Sequence, residues 1–133
     1  MVEDVIEVVE RVDFKKSTYE FQSDGIVVIT IKDDVHLEIE DALEEFRVLL
    51  QKQSYHPVKA LIIPGENASV SKEVRDFANS AEGKSIMKCQ AIVVESLAHR
   101  IMANFMKRFY KTPVTIKIFN DKYEALDWLQ SVR

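Results

Sequence analysis

At 133 residues, with 47% hydrophobic and 30% charged positions, the chain has the size and composition of one globular domain that can bury an ordinary core without staples. No apolar run approaches the roughly 20 residues that cross a bilayer, and the single cysteine, Cys89, excludes an intramolecular disulfide and a cysteine-rich zinc site. The net charge of −4 is too small to define a partner; its distribution along the chain carries more information.

The opening MVEDVIEVVE is acidic where a secretory signal would be basic, so a cytoplasmic protein is expected. Val2, Val5, Ile6, Val9 and Val12 follow helical spacing, which suits a short helix over residues 3–12. The same run is rich in β-branched residues and suits a strand; residues 1–14 are read as an N-terminal extension. From Thr18 to Gln22, Tyr19 and Phe21 alternate with polar residues, as in an edge or one-face strand. Ser23-Asp24-Gly25 is a hairpin turn signal, and Ile26–Ile31 (IVVITI) is a second strand, antiparallel to the first and apolar on both faces.

Leu37–Gln51 has the clearest helical pattern. Ile39, Ala42, Leu43, Phe46, Leu49 and Leu50 lie to one side, and Glu38, Glu40 and Asp41 occupy the first turn, where the helix dipole favours negative charge. His56-Pro57 marks a turn, Ala60–Ile63 a buried strand, and Pro64-Gly65 its stop. Ser71 caps the next helix, whose apolar side is Val74, Phe77, Ala78 and Ala81 and which Gly83 ends.

The chain is organised around Lys88–Lys111. Ala91–Val94 reads as a strand covered on both faces at the sheet centre. From Ser96 a helix buries Leu97, Ala98, Ile101, Met102, Phe105, Met106 and Phe109. Its other face carries Arg100, Lys107 and Lys111, a basic stripe suited to a partner. Thr112-Pro113 breaks the helix, and Val114, Ile116 and Ile118 form a second edge strand. Asp121 and Glu124 have capping-box spacing at the head of a last helix packed through Ala125, Leu126, Trp128, Leu129 and Val132. The predicted order is ββαβαβαβα: an α/β fold whose mixed, mostly parallel sheet has an antiparallel edge hairpin and is packed with helices.

Charge divides along this order. Asp33 to Glu45 holds seven acids and no Lys or Arg, while Arg100 to Lys117 holds five bases and no acid. Two solvated helix faces account for this; so does docking of acidic helix on basic helix in a homodimer, or against a charged protein partner. The bases are too few, and lack interleaved exposed aromatics, for nucleic acid. The methionines and phenylalanines of the basic helix are those a helix packed on a sheet must bury, so membrane or lipid contact is not expected. The alternative they leave is a small-molecule or lipid pocket between that helix and the sheet.

Motifs for chemistry are absent. Three separated glycines, Gly25, Gly65 and Gly83, cannot build a dinucleotide fingerprint or a Walker loop. His36, His56 and His99 lack ligand-like spacing and are read as surface or boundary histidines; Cys89, at the head of a strand, is read as a small buried hydrophobe. No catalytic residue, metal ligand or cofactor is expected. The carboxyl rim of the sheet would be built from Gly65 to Ser71, Glu95 to Ala98 and Phe119 to Asp121, and Ser69 and Ser71 there are candidates for phosphorylation or binding.

With its closing phrase Phe119-Asn120-Asp121-Lys122-Tyr123-Glu124-Ala125-Leu126-Asp127-Trp128-Leu129, the chain resembles the STAS-like domains (sulfate transporter and anti-sigma-factor antagonist), in particular the stand-alone SpoIIAA-like branch. The similarity covers roughly Thr18 to Leu129. It implies one SpoIIAA-like α/β domain and a non-catalytic protein-interaction or regulatory role, some members being switched by phosphorylation of a serine before the second helix. That position falls near Ser69 or Ser71, where this chain reads Gly65-Glu66-Asn67-Ala68-Ser69-Val70-Ser71-Lys72 and departs from the family's Asp-Ser-Ser-Gly type motif.

Overall fold

The computed structural model describes residues 5–94, 96 and 115–133. Strand β1 (Val8–Asp13) pairs antiparallel with β2 (Ser17–Gln22), and β2 with β3 (Ile26–Ile31). The opening segment is thus a strand from Val8 onward, and the helical spacing of its valines is coincidental. Their β-branched side chains suit a pleated ribbon, and Val12 lies across from Tyr19 and packs on the core. Tyr19 and Phe21 are buried while Thr18, Glu20 and Gln22 are half-buried, so β2 is a one-face strand; the edge belongs to β1.

Beyond β3 the chain runs through β4 (His36–Leu37), α1 (Ile39–Gln51), a 3-10 turn (Gln53–Tyr55), β5 (Val58–Ile63), β6 (Ser69–Val70), α2 (Lys72–Ala78), α3 (Ala81–Lys84), β7 (Met87–Val93), β8 (Thr115–Phe119) and α4 (Lys122–Ser131). The main sheet has the order β1-β2-β3-β5-β7-β8, its last four strands mutually parallel. The strand expected at the centre, β7, lies one place in from the β8 edge; β3 and β5 form the middle pair.

The middle strands are apolar on both faces because both are covered. Val27 and Ile29 of β3 join Phe21, Val58 and Ala60 under Phe46 and Leu49 of α1, and Ile26 and Val28 point the other way, to Leu61, Cys89, Ala91 and the α4 residues Ala125 and Leu129. Each fully buried side chain of the Leu61 or Phe21 kind contributes roughly 1.5–3 kcal/mol, so these layers outweigh exposed ion pairs such as Arg11–Asp13.

Helix α1 is rotated from the expected stripe. Leu43 and Leu50 are exposed, and Glu45 is buried beside Phe46 and Leu49. Ser71 caps α2 as expected, its Oγ accepting from Val74 N at 3.2 Å. Gly83 does not end that helix. The break falls at Asn79-Ser80, where Ser80 caps α3, and Gly83 is buried inside α3 because any Cβ there would strike the Phe77 carbonyl. Asp121 caps α4 through Tyr123 N at 3.0 Å. The basic helix expected from Ser96 onward, with His99, Arg100, Lys107 and Lys111, falls on residues outside those described.

Candidate functional site

Strands β3 and β5 are parallel neighbours, so the loops that follow them leave the same edge of the sheet side by side. Gly65 makes their contact close, since a Cβ there would collide with the carbonyls of Ile31 and Lys32. Glu66 N donates to Asp33 Oδ1 at 2.8 Å and Asp34 N to the Glu66 carbonyl at 2.8 Å. Asp34 and Asn67 both adopt the left-handed conformation, with φ of 57° and 58°, which Asp and Asn tolerate best among residues with a Cβ. Asn67 Nδ2 donates to Asp34 Oδ1 at 3.2 Å, joining the two turns.

The loops then pair as a parallel two-stranded ribbon, β4 with β6, in a register that sets His36 beside Ser69 and Leu37 beside Val70. Ser69 N donates to the Val35 carbonyl at 3.0 Å and Ser71 N to the Leu37 carbonyl at 2.9 Å. Lys16 reaches in from the β1–β2 turn, its Nζ donating to the His36 carbonyl and to Asp41 Oδ2, both at 2.7 Å. Asp41 also accepts from Glu38 N at 2.9 Å, and these bonds hold its carboxyl below the ordinary aspartate range.

On this frame Ser69 Oγ lies 2.7 Å from His36 Nδ1, and His36 Nε2 lies 3.5 Å from Glu38 Oε1. A carboxylate facing Nε2 favours the tautomer protonated there, which leaves Nδ1 to accept the Ser69 hydroxyl proton. Ser69 is exposed, and the His36 and Glu38 side chains are each 52% exposed, so reagents in solution reach the group. The two candidate serines therefore differ. Ser71 is half-buried with its oxygen committed to the α2 cap, whereas Ser69 presents its hydroxyl outward.

A second polar group lies beneath α1. Glu45 Oε1 accepts from Tyr19 OH at 2.8 Å, while Glu45 Oε2 and Ser17 Oγ are buried without a hydrogen-bond partner. Burial pushes the Glu45 carboxyl up, against the Tyr19 hydroxyl bond that favours its charge, and burial pushes the Tyr19 phenol up as well. Cys89 is wholly buried and its thiol is raised by burial, as suits a small hydrophobe. His56 is half-buried with Nε2 2.8 Å from the Leu49 carbonyl. Among the described residues no three His, Cys, Asp or Glu side chains converge on a metal position, and no helix is long and apolar enough to cross a membrane.

The rim expected from sequence contained Gly65 to Ser71 but missed the loop from Asp33 to Glu38, which supplies His36. Thirty-three residues separate His36 from Ser69, and a two-residue ribbon leaves no periodic trace. Of the other expected rim segments, Phe119 to Asp121 is described, whereas within Glu95 to Ala98 only Ser96 is.

The family model for DUF7793, a domain of unknown function, matches residues 19–133. The chain belongs to the DUF7793 family. None of the curated proteins matches it in sequence. Its structure is similar to the crystal structure of an uncharacterized protein from the DUF3478 family with a SpoIIAA-like fold, from Shewanella loihica PV-4. The TM-score is 0.59 at 19% identity, over 97% of this chain and 98% of that one. This DUF7793 chain therefore has the SpoIIAA-like fold, and the STAS-like resemblance in its closing phrase holds at the level of fold.

Proposed function

We propose that this protein is a non-catalytic, cytoplasmic interaction or regulatory domain of the STAS-like type, whose docking surface is the ribbon at the β3 and β5 ends and whose switch is Ser69. The observation that supports it most directly is the contrast between backbone and side chains there. The backbone is locked by paired amides and carbonyls, while His36, Glu38 and Ser69 point outward. A preformed surface of this kind loses little conformational entropy on binding. A phosphate on Ser69 would add up to two negative charges beside His36, enough to repel an acidic partner or recruit a basic one.

The test is partner capture from lysate of the source cells with Ser69→Asp, Ser69→Ala and the unmodified chain as baits. The expected result is a partner whose recovery differs between Ser69→Asp and Ser69→Ala. Identical recovery with both baits would remove Ser69 as the switch. Self-association is the second expectation within this reading, supported by Val8 and Val9, exposed on the edge strand β1, and by Val5 and Ile6, exposed just before it. Sedimentation that stays monomeric across a wide concentration range would exclude it.

A further inference from the structure

The arrangement of serine, imidazole and carboxylate on the ribbon has the order required to activate a hydroxyl. Ser69 Oγ is within hydrogen-bond reach of His36 Nδ1, and Glu38 Oε1 faces the far ring nitrogen. The ribbon register, the Lys16 bond to the His36 carbonyl and the Gly65 contact hold the two strands that carry them. We propose that Ser69 is a base-activated nucleophile that accepts an acyl group from an activated carboxylic ester, with His36 as general base and Glu38 as the group that positions the ring and balances its charge.

In this step Ser69 Oγ attacks the acyl carbon while its proton passes to His36 Nδ1, and Glu38 stabilises the imidazolium through Nε2. Collapse of the tetrahedral adduct breaks the ester C–O bond, and the leaving oxygen takes the proton from His36. An ester and a serine become an acyl-serine and an alcohol, with no change of oxidation state. The amides of Ser69 and Ser71 are already spent on the Val35 and Leu37 carbonyls and give a developing oxyanion no help; an activated ester, with its good leaving oxygen, reacts without such help, whereas the acyl-serine is an ordinary alkyl ester and does not. Ser69 therefore takes up one acyl group and retains it; this is a modification of the protein and not turnover, and it leaves the non-catalytic reading intact.

The experiment uses the full chain and p-nitrophenyl acetate. The expected result is release of about one nitrophenolate per chain followed by a stop, with a single acetyl group located on Ser69 by peptide mass mapping. Ser69→Ala abolishes the burst. His36→Ala slows it by about 100-fold, and added imidazole restores part of the rate, which a merely structural histidine would not permit. Glu38→Gln slows it by a smaller factor. All three side chains are solvent-accessible, so the variants keep the fold, which circular dichroism checks. Acetyl groups confined to lysines, steady release without a serine adduct, or an undiminished burst in His36→Ala would each overturn the proposal. The switch fails on a different measurement: partner recovery identical for the two Ser69 baits leaves this chemistry standing, and an unreactive Ser69 leaves the docking surface standing.

Discussion

The N-terminus and the middle of α1 each bring a serine, a ring and a glutamate together, and they differ chiefly in water. Ser69, His36 and Glu38 lie outside on the ribbon; Ser17, Tyr19 and Glu45 lie inside, with Glu45 6% exposed and Ser17 wholly buried. Outside, charges are solvated and the hydroxyl is open to reagents. Inside, the carboxyl is driven toward its neutral form and one of its oxygens has no partner. Similar residue types thus make a reactive group in one place and a joint between helix and sheet in the other, and solvent decides which.

The largest expected effect tests the outer group's frame. Gly65→Ala forces a Cβ into the Ile31 and Lys32 carbonyls, and should destabilise the chain by about 3 kcal/mol in urea unfolding while separating the two loops. Next, Tyr19→Phe removes the hydroxyl that donates to Glu45 Oε1 at 2.8 Å, and should cost about 2 kcal/mol by the same measurement.

Glu45→Gln should act in the opposite direction. Because the folded-state carboxyl is raised, its contribution is fully present below the unfolded-state value and is lost as pH rises through the folded one. The glutamine variant keeps an acceptor for Tyr19 and carries no charge. Unfolding curves from acid to neutral pH should therefore show a flatter profile than the parent, and equal or greater stability at neutral pH. Smallest is Ser69→Ala, which should shift stability by less than about 0.5 kcal/mol; a larger loss would mean that the outer group is a joint too.

Much of the fold was legible because periodicity records burial. Tyr19 and Phe21 marked a one-face strand, IVVITI a strand covered on both faces, and Ser71 and Asp121 the starts of helices. The first strand was ambiguous because five of the six apolar residues between Val2 and Val12 fit a helix as well as a ribbon, and only pairing with β2 decides. Glu45 was counted with a solvated acidic face, although it sits three residues after Ala42 and four before Leu49, on the stripe that turns inward. Leu43 and Leu50 were placed on that stripe and are exposed. The outer group was half visible: Ser69 stood out by its position before a helix, but nothing local to His36 points to a serine across a ribbon two residues long.

That ribbon has a mechanical meaning as well. Glu38, directly after β4, is the N-cap of α1, and Ser71, directly after β6, is the N-cap of α2, while Phe46 and Phe77 hold the two helices together at 5.1 Å between ring centres. A covalent group or a bound chain that pries the ribbon apart would pull on both helices at their roots, like a yoke on two shafts. A small event at one hydroxyl could in this way be felt along the whole face of the sheet that α1 and α2 cover.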